Sequence, residues 1–383
     1  MLRVLFVANG HGETAIAARI AAELDRGANP PVALDLLALV GNGAGAGPLA
    51  VIGPRRRMPS GGLVAMGNVG AFSRDLRAGF LRLFGAQVAW LRAARGRYDL
   101  VVAVGDAYAL ALALLCRTQT LFVGTAKSVY VAPYGPFERV LLRRAIRIFV
   151  RDAETAAALR AARVPAEAPG NVIVDLVEAD ATALPSGSLG ILPGSREAAY
   201  ADGVRLARVV RALGPLRPQT TGLFSVAPGL EPARFRAALA ADGWELAAGD
   251  PAPGSVFALE SGGVRLIGWR GGLGAVLRAS VAVLGQAGTA NEQAAAFGVP
   301  VIAFGAGGPA RDDWYRMRQR RLLGEALQLI PEAPEAGAAA LAQLLADSER
   351  LSRMGAAGRR RMGAPGGAAA VARAILDATD GAA

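Results

Sequence analysis

The sequence predicts an α/β protein with two doubly wound parallel-sheet domains that face a central cleft, followed by a helical C-terminal region. Short apolar strands alternate with helices rich in Ala, Leu and Arg, and many strands end at a glycine. This alternation is typical of parallel sheets covered by helices on both faces. With 383 residues, the chain has the length of two domains.

The first series of elements predicts an N-terminal domain over residues 1–180. Its expected strands are Arg3–Ala8, Asp99–Val104, Leu121–Val123, Ile146–Val150 and Val172–Val174. Its expected helices are Glu13–Leu24, Tyr108–Leu115 and Glu154–Ala162. Turn residues are dense from 166 to 188, which places the domain boundary near residue 180.

A second series predicts a C-terminal domain over residues 181–364. Its expected strands are Leu189–Leu192, Thr221–Val226, Val264–Ile267, Val281–Leu284 and Pro300–Phe304. Its expected helices are Gly203–Leu213, Arg234–Ala241, Gly274–Ala279, Asn291–Ala296, Asp312–Leu323, Glu335–Asp347 and Ser348–Met362. A last helix, within residues 365–380, is expected to complete the first domain.

Composition narrows the classes of function. The formal charge of +11 indicates an anionic partner, although arginine accounts for all the basic residues except Lys127, as a coding bias would also produce. Aromatic residues make up only 6% and form no stacking platform with basic residues, so we expect no nucleic-acid partner. One cysteine and one histidine predict neither a disulfide nor a metal site, and a reducing, cytoplasmic location.

The loop after the first strand contains candidate catalytic residues. It reads Asn9-Gly10-His11-Gly12-Glu13 and lacks the third glycine of a dinucleotide fingerprint. His11 and Glu13 are candidates for general acid–base chemistry, because open α/β sheets bind their ligands at the carboxyl ends of the strands. Asn9 and Gly10 are candidates for contact with an acceptor or a phosphate.

Two further strands of the first domain end in polar residues. Asp106 follows the run 101–105 and can act as a base on a sugar hydroxyl, cap the next helix, or do both. Lys127 and Ser128 follow the strand Leu121–Val123 and are candidates for phosphate or acceptor contacts.

Two loops of the second domain predict a diphosphate site. Glycine allows close backbone approach to a phosphate, and arginine offers a bidentate donor. The first loop supplies Gly194, Ser195 and Arg196, and the second supplies Gln286, Gly288, Thr289, Asn291, Glu292 and Gln293. Either Glu292 or Gln293 can reach a ribose hydroxyl pair.

Residues 72–97 combine an apolar stripe with excess positive charge, as helices at anionic membrane surfaces do. Packing in the core is the alternative explanation of the same stripe. The stripe consists of Phe72, Leu76, Phe80, Phe84 and Val88 with Leu83 and Leu91, beside Arg74, Arg77, Arg82, Arg92, Arg95 and Arg97.

Taken together, the motifs NGHGE, VGD, LPGSR and AGTANE resemble those of lipid-A-disaccharide synthase and its related proteins. The resemblance spans nearly the whole chain. It implies a GT-B fold built from two Rossmann-like domains, a UDP-sugar donor without a further cofactor, and metal-independent inverting transfer to a lipid acceptor at the cytoplasmic membrane face. By position, Asp106 matches the synthase's essential aspartate, Arg196 its LPGSR arginine, and Glu292 its donor-binding glutamate, with Gln293 as a rival.

Two alternatives stay open at this point. A UDP-N-acetylhexosamine epimerase would use the same fold without a lipid surface, and a basic nucleic-acid-binding protein is a less favoured reading of the charge. The sequence leaves open whether the protein is a homodimer.

Overall fold

The computed structural model describes residues 2–27, 31–56, 76–177, 182–248, 253–305 and 310–380. The chain forms two units. One contains Met1–Leu176 together with Gly363–Ala383, and the other contains Val177–Met362. The sequence-based boundary lies at residue 180, four residues beyond the end of the first segment.

A parallel sheet of seven strands forms the centre of the first unit in its described part. The order across the sheet is β3-β2-β1-β4-β5-β6-β7. The strands are β1 Arg3–Asn9, β2 Ala33–Val40, β3 Ala50–Val51, β4 Leu100–Gly105, β5 Thr120–Gly124, β6 Arg147–Val150 and β7 Ala166–Glu167. The two central strands β1 and β4 are apolar on both faces because helices cover both sides.

Helices pack on both faces of this sheet. They are α1 His11–Gly27, α2 Phe80–Ala93, α3 Ala107–Ala113, α4 Pro136–Leu142, α5 Ala153–Ala161, α6 Val172–Asp175 and α14 Gly367–Asp380, with a 3-10 turn at Leu114–Cys116. The last helix returns to the first unit, where Val371 and Ile375 are buried in the same cluster as Ile16 and Ile20 of α1. Asp175 caps this helix by accepting hydrogen bonds from the N–H groups at 366 and 368.

The sequence predicts a membrane-surface helix over residues 72–97. Residues 72–75 lie outside the described residues, and helix α2 covers Phe80–Ala93 of the rest. Three apolar side chains of α2, Phe80, Leu83 and Leu91, are buried, as expected for core packing. The predicted stripe is therefore divided between the core and the surface. Leu76 and Phe84, which belong to the stripe, are each 37% exposed, and Leu81, which does not, is 67% exposed.

The second unit contains a mixed sheet of eight strands in its described part. The order is β10-β11-β12-β9-β8-β13-β14-β15, and the pairs β10–β11 and β11–β12 are antiparallel. The strands are β8 Ser188–Leu192, β9 Thr221–Ser225, β10 Glu245–Leu246, β11 Ser255–Ser261, β12 Val264–Trp269, β13 Ser280–Gly285, β14 Val301–Phe304 and β15 Leu327–Ile330.

The helices of this unit again alternate with the parallel strands. They are α7 Ala199–Leu213, α8 Pro232–Ala241, α9 Leu273–Ala279, α10 Thr289–Ala296, α11 Ala310–Leu323, α12 Pro334–Ala346 and α13 Ser348–Met362, with a 3-10 turn at Gly324–Ala326. An apolar cluster joins α7, α8, α12 and α13 to the sheet, with Phe224, Phe235 and Phe304 among its largest buried side chains.

One predicted strand is wrong. Residues Val172–Val174 belong to helix α6, which Asn171 caps by accepting the N–H of Ile173. The actual last strand of that sheet is the two-residue β7 at Ala166–Glu167. Three consecutive apolar residues suit a buried helical turn as well as a strand, so the apolar run alone did not distinguish them.

Candidate active site

Strands β1 and β4 are neighbours in the first sheet, so their carboxyl ends lie side by side. Asn9 is the last residue of β1, and Asp106 directly follows β4. The Nδ2 group of Asn9 donates a hydrogen bond of 3.1 Å to Oδ2 of Asp106. Asn9 is 3% exposed and is thereby committed to orienting this carboxylate.

Glu13 lies in the first turn of α1, directly above the end of β4. Its Cγ is 3.1 Å from where a Cβ atom of Gly105 would be, and Gly105 has a φ of 130° that favours glycine. The hydroxyl of Thr125, at the end of β5, is 3.5 Å from Oε1 of Glu13. Three strand ends therefore surround one glutamate.

Burial of this carboxyl group raises the pKa of Glu13 from 4.5 to about 7, and the negative charge of Asp106 adds to the increase. Burial also raises the pKa of Asp106, while hydrogen bonds from the Ala109 N–H and from Asn9 oppose that shift. The site therefore contains two nearby carboxyl groups, one of which exchanges its proton close to neutral pH. Such pairs are typical of acid–base sites.

Asp106 also caps helix α3, with Oδ1 accepting the N–H of Ala109 at 3.0 Å. The two roles that the sequence offered for Asp106 are thus compatible, because each oxygen has its own donor. The cap fixes the side chain in one orientation at the end of β4.

His11 and Gly10 complete the β1 loop. His11 is the first residue of α1, is exposed, and lies beside Gly41 at the end of β2. Gly10 has a φ of 119°, and its carbonyl accepts hydrogen bonds from both the N–H and the hydroxyl of Thr14. The loop thus presents His11 to solvent while Glu13 lies deeper.

Lys127 and Ser128 have protein partners in this structure. Lys127 Nζ is 2.7 Å from Oε2 of Glu138, which also accepts the Gly135 N–H. Ser128 is 2% exposed, and its Oγ accepts the Tyr130 N–H at 3.3 Å. These contacts stabilise the loop after β5, whereas the sequence suggested phosphate or acceptor contacts for both residues.

In the second unit, the two loops predicted to hold a diphosphate are adjacent. Strands β8 and β13 pair in parallel, and the N–H groups of Gln286 and Ala287 both donate to the carbonyl of Leu192. Gly194 has a φ of 118°, and a Cβ atom there would lie 4.0 Å from Cα of Ala287. The structure therefore brings together two motifs that are about 90 residues apart in the sequence.

The exposed edge of these loops carries hydrogen-bond donors. Ser195, Arg196 and Thr289 are exposed, and Arg196 pairs with no carboxylate within the described ranges. The Nε2 group of Gln286 is buried and has no hydrogen-bond partner among the described residues. Glu292 is partly exposed and Gln293 is 9% exposed, and both lie on α10.

Asn291 occupies a different place from the one expected. It is fully buried, and its Nδ2 group donates to the carbonyl of Gly285 at 3.2 Å and to Oε1 of Gln319 at 3.3 Å. Asn291 thus holds the loop from inside, whereas the sequence suggested direct contact with the donor. Gln319 was missed, because it lies in a strongly polar helix where the sequence does not indicate burial.

A groove of about 640 Å³ lies elsewhere in the second unit, lined by Thr221 and Val264 at the amino ends of β9 and β12. Ligands of open α/β sheets bind at the carboxyl edge, so we do not include this groove in the candidate site. Among the described residues, no helix combines the length and apolar character that crossing a membrane requires.

Comparison with solved structures defines the fold. No protein-family model and no curated protein matches the chain. MurG from Acinetobacter baumannii aligns over 98% of this chain and 100% of its own, with a TM-score of 0.58 and 14% identity. UDP-GlcNAc 2-epimerase from Neisseria meningitidis, bound to UDP-GlcNAc, aligns over 98% and 99%, with a TM-score of 0.56 and 13% identity.

The chain has the GT-B fold. A transferase of the UGT type from Siraitia grosvenorii, in complex with UDP, also aligns over 99% of this chain and 100% of its own, with a TM-score of 0.56 and 12% identity. At these identities the likeness is one of fold. The resemblance to lipid-A-disaccharide synthases rests on the sequence motifs alone.

Proposed function

We propose that this protein is an inverting, metal-independent glycosyltransferase. It transfers a hexose, of the N-acetylglucosamine type, from a UDP-sugar to a lipid-linked acceptor at the cytoplasmic face of the membrane. The observation that carries the proposal is the pair of carboxyl groups, Glu13 and Asp106, at the carboxyl edge of the first sheet. The motif resemblance and the UDP or UDP-GlcNAc bound in two of the aligned structures support the choice of donor.

The second unit would hold the donor. The N-terminus of α10 and the outward N–H groups of its loop attract the diphosphate, and Arg196 adds a positive charge that no described carboxylate neutralises. These groups stabilise the negative charge that develops on UDP as it leaves.

The first unit would supply the base. Asp106, oriented by Asn9 and by the Ala109 N–H, takes the proton of the acceptor hydroxyl. The acceptor oxygen forms a bond to the anomeric carbon while the bond from that carbon to the diphosphate oxygen breaks. Glu13 sets the charge of the pair, because loss of its proton near neutral pH makes Asp106 a stronger base.

A lipid-linked acceptor is supported by large apolar side chains that are exposed on two helices of the first unit. Phe137 is 91% exposed and Val140 is 61% exposed on α4, and Leu81 is 67% exposed on α2. Exposed arginines on the same two helices or just after them add positive charge: Arg82, Arg92 and Arg143. Large exposed apolar side chains next to basic ones favour contact with an anionic membrane.

The epimerase remains a second candidate, because two carboxyl groups with different proton affinities can serve as a base and an acid on one sugar. Such an enzyme would need neither a lipid acceptor nor the exposed apolar side chains. Incubation of the protein with radiolabelled UDP-N-acetylglucosamine, with and without extracted membrane lipids, separates the two reactions.

We expect label to move into the lipid phase only when lipids are present, and Asp106→Asn to stop this transfer. Epimerised sugar with no labelled lipid would reject the transferase and support the epimerase. A Phe137→Ser variant should retain UDP binding but lose affinity for vesicles that contain anionic phospholipid. Equal vesicle binding by both proteins would remove the membrane contact from the proposal.

A further inference from the structure

The loop that precedes α10 is held from beneath by a side chain of α11. Gln319 is 8% exposed, and its Nε2 group donates to the carbonyl of Ala287 at 3.1 Å and to the carbonyl of Gly288 at 3.4 Å. Its Oε1 accepts from Nδ2 of Asn291 at 3.3 Å. One amide group therefore connects two consecutive loop carbonyls to the first turn of the helix.

Because the peptide group is planar, these contacts also fix the direction of N–H groups in the loop. In a trans peptide, the N–H points opposite to the preceding C=O. Because the carbonyl of Ala287 points towards Gln319, the N–H group of Gly288 points away from it. The carbonyl of Gly288 also accepts the N–H groups of Asn291 and Glu292, so helix α10 itself orients the next peptide and the N–H group of Thr289. These are the amides that the proposed donor site offers to a diphosphate.

Other contacts hold the two ends of this loop in place. The two preceding N–H groups, of Gln286 and Ala287, are already bound to the carbonyl of Leu192. Asn291 packs so closely against Gly285 that no side chain larger than hydrogen fits at position 285. The β8 side and the helix side of the loop are thus anchored, and Gln319 orients the peptide 287–288 between them.

We propose that Gln319 is a positioning residue for the diphosphate of the donor. It holds the peptide 287–288 with its N–H group outward, next to the N–H group of Thr289 that helix α10 orients, so that phosphate oxygens meet donors that are already in place. Preorganised donors bind an anion more tightly than donors that must rotate into position. This inference rests on the proposed donor site.

The test replaces Gln319 by methionine, which keeps the length and volume of the side chain but removes the amide. The matched control is Gln328→Met on β15, because Gln328 also donates to a backbone carbonyl, at 2.8 Å to Leu329, away from the loop. Amide hydrogen exchange of a peptide covering 285–292 is measured without ligand, and UDP affinity is measured by calorimetry.

We expect faster exchange in that peptide for Gln319→Met only, and a Kd for UDP about tenfold higher, as loss of one or two net hydrogen bonds implies. The KM for the UDP-sugar should rise in parallel while kcat changes less, because the loop binds the diphosphate before and during the reaction.

Unchanged amide hydrogen exchange in Gln319→Met would overturn the inference that Gln319 orders the loop, whatever the change in UDP affinity. Faster exchange with unchanged UDP affinity would overturn the positioning role. If the unaltered protein bound no UDP at all, the proposed donor site and this inference would both fail, while the exchange experiment would still report whether Gln319 orders the loop.

Discussion

Replacing Glu13 by glutamine should make the protein more stable above neutral pH and at the same time less active. The physical reason is that burial disfavours the ionised carboxylate, which raises the pKa of Glu13 from 4.5 to about 7. Glutamine has the same shape and no charge, so it can occupy the position without that cost.

The direction of the pH dependence follows from linkage. Below pH 4.5 the carboxyl group is protonated in both the folded and the unfolded chain, so its burial as an acid carries no charge penalty. Between pH 4.5 and about 7 the unfolded chain releases a proton that the folded chain retains, and the free energy of unfolding falls as the pH rises. Above pH 7 both states are ionised and the penalty stays constant.

The difference between these pKa values corresponds to about 3 kcal/mol, at about 1.4 kcal/mol per pH unit. Because Glu13 is partly accessible to water, we expect about 2 to 3 kcal/mol to be recovered by Glu13→Gln at pH 8. For a unit of this size, that corresponds to a rise in melting temperature of roughly 5 to 10 °C.

Thermal and urea unfolding of both proteins at several pH values between 5 and 8.5 measure this effect. The control is Glu154→Gln, an exposed glutamate in the first turn of α5. We expect the advantage of Glu13→Gln to grow with pH and that of Glu154→Gln to stay flat, while transfer falls at least about hundredfold in Glu13→Gln only. A Glu13→Gln difference that is equal at pH 5 and pH 8 would refute the reasoning.

Three further predictions concern the same two sites. In Asp106→Asn the new side chain can still accept the N–H group of Ala109 that caps the helix. We therefore expect UDP binding to persist in calorimetry and transfer to fall at least about hundredfold. Normal turnover would reject Asp106 as the base. Arg196→Ala should weaken UDP binding roughly tenfold, whereas the exposed Arg278→Ala serves as a control with unchanged affinity. Gly105→Ala introduces a Cβ atom 3.1 Å from Cγ of Glu13 at a φ of 130°, and should cost about 1 to 3 kcal/mol in urea unfolding; an unchanged midpoint would mean that the backbone relaxes.

Much of the local structure could be predicted from the sequence, because it depends on neighbours in the chain. An apolar run that ends in glycine, such as 101–105, predicts a buried strand and the turn that follows it. The cap at Asp106 and the N-terminal position of Thr289 follow from residues within one helical turn. Six strands in the described part of the chain were missed. Strands β3, β7, β10, β11 and β15 are short or partly exposed. Strand β2 was missed although it has eight residues and is largely buried.

By itself, the sequence determined the alternation of strands and helices, the loops at many of the strand ends, and the residue types on which the proposed acid–base chemistry and phosphate binding depend. Only the tertiary structure decided which of these loops meet. Asn9 reaches Asp106 across 97 positions because β1 and β4 pair, and Gln319 reaches Ala287 because α11 packs beneath the loop. Pairing of distant segments depends on the whole sheet and its covering helices, so no local pattern at 9 or 319 indicates the partner.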